Sequence, residues 1–105
     1  MTTFDKREEA FEKKFTIDEE LKFKSMARRN KLLGLWVAEK LGMTGADADA
    51  YAREVVAADF EGAGGAAGKV MDDLAAKGAA IPEPQLRARM DELMAQAIAQ
   101  VMAGK

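Results

Sequence analysis

The sequence predicts an all-α fold, a four-helix bundle preceded by an N-terminal arm that is either helical or partly disordered. Three observations carry this expectation. Apolar residues recur at helical spacings and no segment alternates at period two. Glycines and the two prolines fall between the periodic stretches, where helices end and begin. At 105 residues the chain has room for one small core.

The first segment sets Phe4, Phe11 and Phe15 seven and four residues apart, a narrow stripe on a helix of about 3.6 residues per turn. Around them stand Asp5, Lys6, Arg7, Glu8, Glu9, Glu12, Lys13 and Lys14. Three phenylalanines and Ala10 are a small apolar payload, so this helix is marginal by itself. At Thr16 the sequence reads Thr-Ile-Asp-Glu, a capping-box pattern that offers a new helix start. The matching hydrophobic staple is missing, because the partner position for Phe15 holds Glu20. Two readings stay open: a hinge near Phe15 to Ile17, or one helix from Thr3 to Leu41. The domain boundary is drawn as an arm over 1–16 and a bundle over 17–105.

From Ile17 the chain runs without glycine to Gly34, and Gly42 suits the position just past a helix C-terminus. Leu32, Leu33, Leu35, Trp36 and Val37 cover most of the helix circumference. A helix apolar all round must be surrounded, so this half is placed at the centre of the bundle, around Trp36, with Gly34 admitting a close neighbour. Thr44 or Asp47 caps a second helix of about Ala46 to Glu61, with Tyr51, Ala52, Val55, Val56 and Phe60 at apolar positions. Gly62, Gly64 and Gly65 end it. A short third helix carries Ala67, Val70, Met71 and Leu74 and closes at Gly78. Pro84 is acceptable as a first helical residue of the last helix, which runs to Met102.

Composition excludes much chemistry. With no cysteine and no histidine there is no disulfide framework, thiolate nucleophile, usual zinc set or Ser-His-Asp triad. Ser25 is the only serine and has no histidine to activate it. The formal net charge of −2 lacks the basic excess of a nucleic-acid binder. The apolar run Leu32–Ala38 is far short of the roughly 20 residues of a membrane span. Charges begin at Asp5, which is not a secretory leader pattern. The expectation is a soluble cytoplasmic protein that is not an enzyme, carries no cofactor or metal and is monomeric when free. The charges are unevenly placed: residues 1–31 hold 9 basic and 7 acidic side chains of the chain's 16 and 18.

Three constellations are candidates for binding. The stretch Gly62-Ala-Gly-Gly-Ala-Ala-Gly-Lys69 invites a phosphate-loop reading, but Ala63 stands where glycine is required and Val70 where Ser or Thr is required. A flexible turn is the favoured reading, with weak nucleotide or anion contact by Gly65, Gly68 and Lys69 as the minor one. The pairs Asp72-Asp73 and Asp91-Glu92 read as solvated helix surface, since adjacent residues do not converge on one point. Met71, Met90, Met94 and Met102 read as adaptable core filler. Arg28, Arg29 and Lys31 form a basic cluster suited to a structural or subunit-docking role more than to nucleic acid, since Asp18 to Glu20 lie close by. The phenylalanine stripe fits a protein groove better than a lipid surface, because its four basic and four acidic neighbours in residues 1–15 do not make a basic polar face.

The run from Thr3 to Phe15, then Asp18-Glu-Glu-Leu-Lys-Phe-Lys24, then Ala27-Arg-Arg-Asn-Lys-Leu-Leu-Gly-Leu-Trp36 and Ala38-Glu-Lys-Leu-Gly42, closely resembles the zeta subunit of alphaproteobacterial F-type ATP synthases. The resemblance is dense over residues 3–42 and rests downstream on length, helix order and the Tyr51 to Phe60 region. It implies an inhibitor of ATP hydrolysis, held on the enzyme by its helical bundle. The arm would enter an interface between the catalytic α and β subunits near γ, at the inner membrane. Carried over, Phe4, Phe11 and Phe15 would be groove anchors, and Arg7, Glu8, Glu12, Lys13 and Lys14 pairing or steering charges. The alternatives are a small helical nucleotide-sensing module or a generic helical adaptor.

Overall fold

The computed structural model describes residues 2–62 and 64–104, with side chains from Glu19 onward. It contains α1 (Thr2–Lys40), α2 (Gly45–Glu61), α3 (Gly65–Ala76) and α4 (Glu83–Met102), and no strand among the described residues. The expected all-α bundle is therefore present, with each helix end within about two residues of its sequence signal.

Of the two readings of the first helix, the continuous one holds: α1 runs 39 residues through Thr16 without interruption. The physical reason is visible in the sequence. A cap begins a helix only where the preceding chain has left helical geometry, and no glycine or proline stands between Thr2 and Leu33 to make it leave. The missing staple at Glu20 removes the other device that would fix an entry angle.

Two glycines stop helices in the same way. Gly42 and Gly78 have φ of +78° and +71°. At the first, the Met43 N–H reaches back to the Ala38 carbonyl at 2.8 Å and the Gly42 N–H to Glu39 at 3.1 Å. At the second, Ala79 bonds to Leu74 at 2.8 Å and Gly78 to Ala75 at 3.1 Å. These are Schellman endings, in which a left-handed residue turns the chain and satisfies the last carbonyls. Met43 and Ala79 then pack on the core, as the motif favours. Thr44 stands at the cap position of α2, though its hydroxyl makes no capping bond.

Helices α2 and α4 both pack on α1, and α3 packs on α2 and on α1. Leu33 and Val37 of α1 meet Val55, Val70, Leu74 and Leu86, all fully buried. Gly34 is the close approach: a β-carbon there would lie 2.5 Å from the Ala52 Cα. The centre of the core differs from the expectation. Trp36 is only half-buried and sits at the rim, with Lys40 Nζ 4.6 Å and Arg89 Cζ 5.4 Å from its ring centroid. A helix with neighbours on part of its circumference leaves some of an all-round apolar segment at the edge, where cations on an indole face are favourable. Phe60, one of the apolar positions of α2, is 65% exposed, and Met102 is 72% exposed, while Met90 fills the interior and Met71 packs partly buried against it.

Candidate functional site

The bundle holds one half of α1 and leaves the other to extend past it. Phe60 near the end of α2 meets Phe23 with ring centroids 5.8 Å apart, and Val101 at the far end of α4 and Gly104 just past it line a trough with Phe23 and Lys24. Phe23 thus marks the level at which α2 and α4 finish. At 1.5 Å per residue, the stretch of α1 before it is about 30 Å long. The molecule's long axis measures 62 Å against 26 and 23 Å across. The arm side chains singled out above, Phe4, Arg7, Glu8, Phe11, Glu12, Lys13, Lys14 and Phe15, lie outside the described ones; their backbone is the first part of α1.

What anchors the bundled half is a polar clasp. Asn30 is 1% exposed, and its Nδ2 donates to Asp59 Oδ2 at 2.9 Å. Arg29 Nε and Nη2 donate to Asn30 Oδ1 at 3.2 and 3.0 Å, and Arg29 Nη2 stands 3.9 Å from Asp59. The other Asp59 oxygen accepts the Ala66 N–H at 3.1 Å. One carboxylate therefore ties α1, α2 and the start of α3 together. It supplies the negative charge that the positive end of the α3 dipole favours. On the opposite side Arg28 Nη1 donates to Gln100 Oε1 of α4 at 3.1 Å.

The basic cluster, expected to have a structural or docking role, is thereby divided. Arg29 turns inward to the clasp, Arg28 reaches α4, and Lys31 is exposed. Consecutive helical residues point about 100° apart, so neighbours in sequence do not share a face.

The glycine-rich stretch is satisfied from within. The cleft of about 380 Å³ beside it is lined by Gly62, Gly65, Gly68 and Lys69, and also by the acids Glu61 and Asp72. Asp59 occupies the Ala66 amide, and Lys69 Nζ lies 3.1 Å from Asp73 Oδ2. The Tyr51 hydroxyl donates to the same Asp73 oxygen at 2.7 Å, and Lys69 sits 5.2 Å from the tyrosine ring centroid. Burial, and then the Asp73 carboxylate, hold the Tyr51 hydroxyl well above the usual phenol range. Asp73 is consequently a structural acceptor between α2 and α3, where the sequence suggested solvated surface. Among the described residues no group of His, Cys, Asp or Glu is placed to hold a metal, and no helix is long and apolar enough to cross a membrane.

Comparison with known families decides between an inhibitor and a generic helical module. The family model for ATPase inhibitor subunit zeta matches residues 1–100. The chain belongs to that family. A solution NMR structure of a protein is 50% identical to this zeta-family chain over 81% of it and 99% of its own length, with a TM-score of 0.67. No curated protein matches the chain. The match runs through all of α1, α2 and α3 and nearly all of α4.

Sequence reasoning missed the Asn30–Asp59 clasp, the Tyr51–Asp73–Lys69 cluster and the Phe23–Phe60 pair. Only the last has a sequence signal: each phenylalanine is flanked by charges, Lys22 and Lys24 or Asp59 and Glu61, as an apolar residue on a polar face would be.

Proposed function

We propose that this chain inhibits ATP hydrolysis by the F-type ATP synthase, using residues 1–16 as the inhibitory arm and 17–105 as the bundle that holds it. The observation that carries the reading is the family match over residues 1–100. The shape of α1 supports it. A single helix anchored over its second half and extended past the bundle over its first is a natural probe for a groove in a larger assembly. The arm enters an interface of the catalytic α and β subunits near γ and obstructs rotation in the hydrolysis direction.

Phe4, Phe11 and Phe15 are the anchors of that contact. Fully buried, they offer on the order of 5–9 kcal/mol of gross transfer energy, from which the cost of ordering the arm is subtracted. Arg7, Glu8, Glu12, Lys13 and Lys14 steer and pair. The chain acts by occupying a moving part and performs no catalysis of its own. It is found at the inner membrane through the enzyme it regulates.

Adding the full chain to inverted membrane vesicles that contain the synthase but lack this subunit tests the reading. ATP hydrolysis should fall severalfold at saturation while proton-driven ATP synthesis is largely retained. Hydrolysis that stays unchanged at saturating protein refutes it.

A further inference from the structure

At the level where the bundle ends, α1, α2 and α4 enclose a trough of about 560 Å³. Its apolar lining comes from all three helices: Phe23 and Ala27, then Val56, then Val101. The Phe23 ring, 60% exposed, leans against the exposed ring of Phe60 at its edge. Two large aromatic side chains left in water side by side mark a surface that gains by being covered.

Among the described residues, the charged side chains that line this trough have one sign. Lys24, Arg28 and Lys31 all line it, and no carboxylate does so among the described residues. They lie four and three residues apart on α1, so they form one row along the helix. Arg28 is held in place by its bond to Gln100, while Lys24 and Lys31 are exposed. A basic row beside an apolar floor stands out on a chain whose net charge is −2.

Resting on the inhibitor reading above, we propose that this trough is a second contact with the catalytic head and takes an acidic segment that carries apolar side chains. Charge complementarity selects the acidic partner, and the aromatic pair selects its apolar anchors. Position supports the assignment. Phe23 follows Phe15 by eight residues on the same helix, about 12 Å along its axis, so an assembly that grips the arm meets this trough next. A second copy of the chain is a poorer occupant, because a twofold pairing through this surface would bring the row of Lys24, Arg28 and Lys31 against its own like-charged copy. The trough sets affinity and association rate, and the arm supplies the block.

The test is the full chain carrying Lys24→Glu and Lys31→Glu, compared with the unchanged chain on detergent-solubilised ATP synthase lacking this subunit. Both lysines are exposed, so thermal unfolding of the variant should be unaltered. The concentration for half-inhibition should rise about tenfold or more, with the difference shrinking as salt is raised, and hydrolysis at saturation should fall to the same level as with the unchanged chain. Lys24→Gln with Lys31→Gln should fall between the two. Equal half-inhibition concentrations at low and high salt would overturn the trough assignment while leaving the inhibitor reading intact. An unchanged chain that does not inhibit at all removes the inhibitor reading and this assignment with it. Binding of the chain to phosphatidylglycerol vesicles that disappears in the variant, with inhibition unaltered, would give the trough to lipid and likewise overturn the proposal.

Discussion

The two halves of α1 use the same helix for opposite purposes. From Leu21 onward the helix is held on several sides: Leu33 and Val37 are sealed in the core, Gly34 lies against Ala52, and Asn30 is clasped by Asp59. The stretch from Thr2 to Phe15 has three phenylalanines and Ala10 among dense, balanced charges, too little apolar surface to fix a helix unaided. Burial fixes the second half, and on the proposed reading a partner completes the first. If the arm enters the synthase as proposed, an inhibitor gains from the division, because the inserted part carries little of its own fold's stability.

The contrast can be broken from the bundle side, and the largest effect is expected at Gly34. Gly34→Leu drives a side chain into the Ala52 backbone, which already lies 2.5 Å from where a β-carbon would stand. About 3 kcal/mol of stability should be lost, read from urea unfolding. Phe11→Ala in the arm, by the same measurement, should stay within about 0.5 kcal/mol of the unchanged chain.

Asp59→Ala comes next. It leaves the Asn30 amide and the Ala66 N–H without their acceptor, for a loss of about 1–3 kcal/mol. Amide exchange should accelerate at Ala66 and its neighbours in the first turn of α3, and unaltered exchange there would show that the clasp is ornamental. The smallest effect has the opposite sign. Ser25 is 1% exposed and its hydroxyl has no hydrogen-bond partner, so Ser25→Ala removes a buried unpaired polar group. Stability should rise by about 1 kcal/mol, visible as a higher melting temperature with inhibition unaltered.

Local signals in this sequence are written in local chemistry, which is why they could be read. The glycines that end α1 and α3, the proline connector before α4 and the small residue at the tightest helix crossing each act through their own backbone or their own missing side chain. Three features were not legible for a common reason: they depend on which azimuth of one helix meets another. Asn30, Asp59 and Ala66 lie 29 and 7 residues apart and converge only after α2 has folded back on α1. Trp36 and Phe60 have the right period for a core, yet period alone does not say how far around each helix its neighbours extend. The basic triplet illustrates the same point from the other side, since Arg28 and Arg29 are adjacent in sequence and serve different helices.

The central claim is that inhibition resides in the arm's phenylalanines and stability resides in the bundle. It is tested most directly by measuring ATP hydrolysis by the synthase against increasing concentrations of the full chain carrying Phe4→Ala, Phe11→Ala and Phe15→Ala together. Losing on the order of 5 kcal/mol of anchoring should raise the half-inhibition concentration by at least about 100-fold, with the bundle still folded. Half-inhibition at the concentration of the unchanged chain would contradict the account.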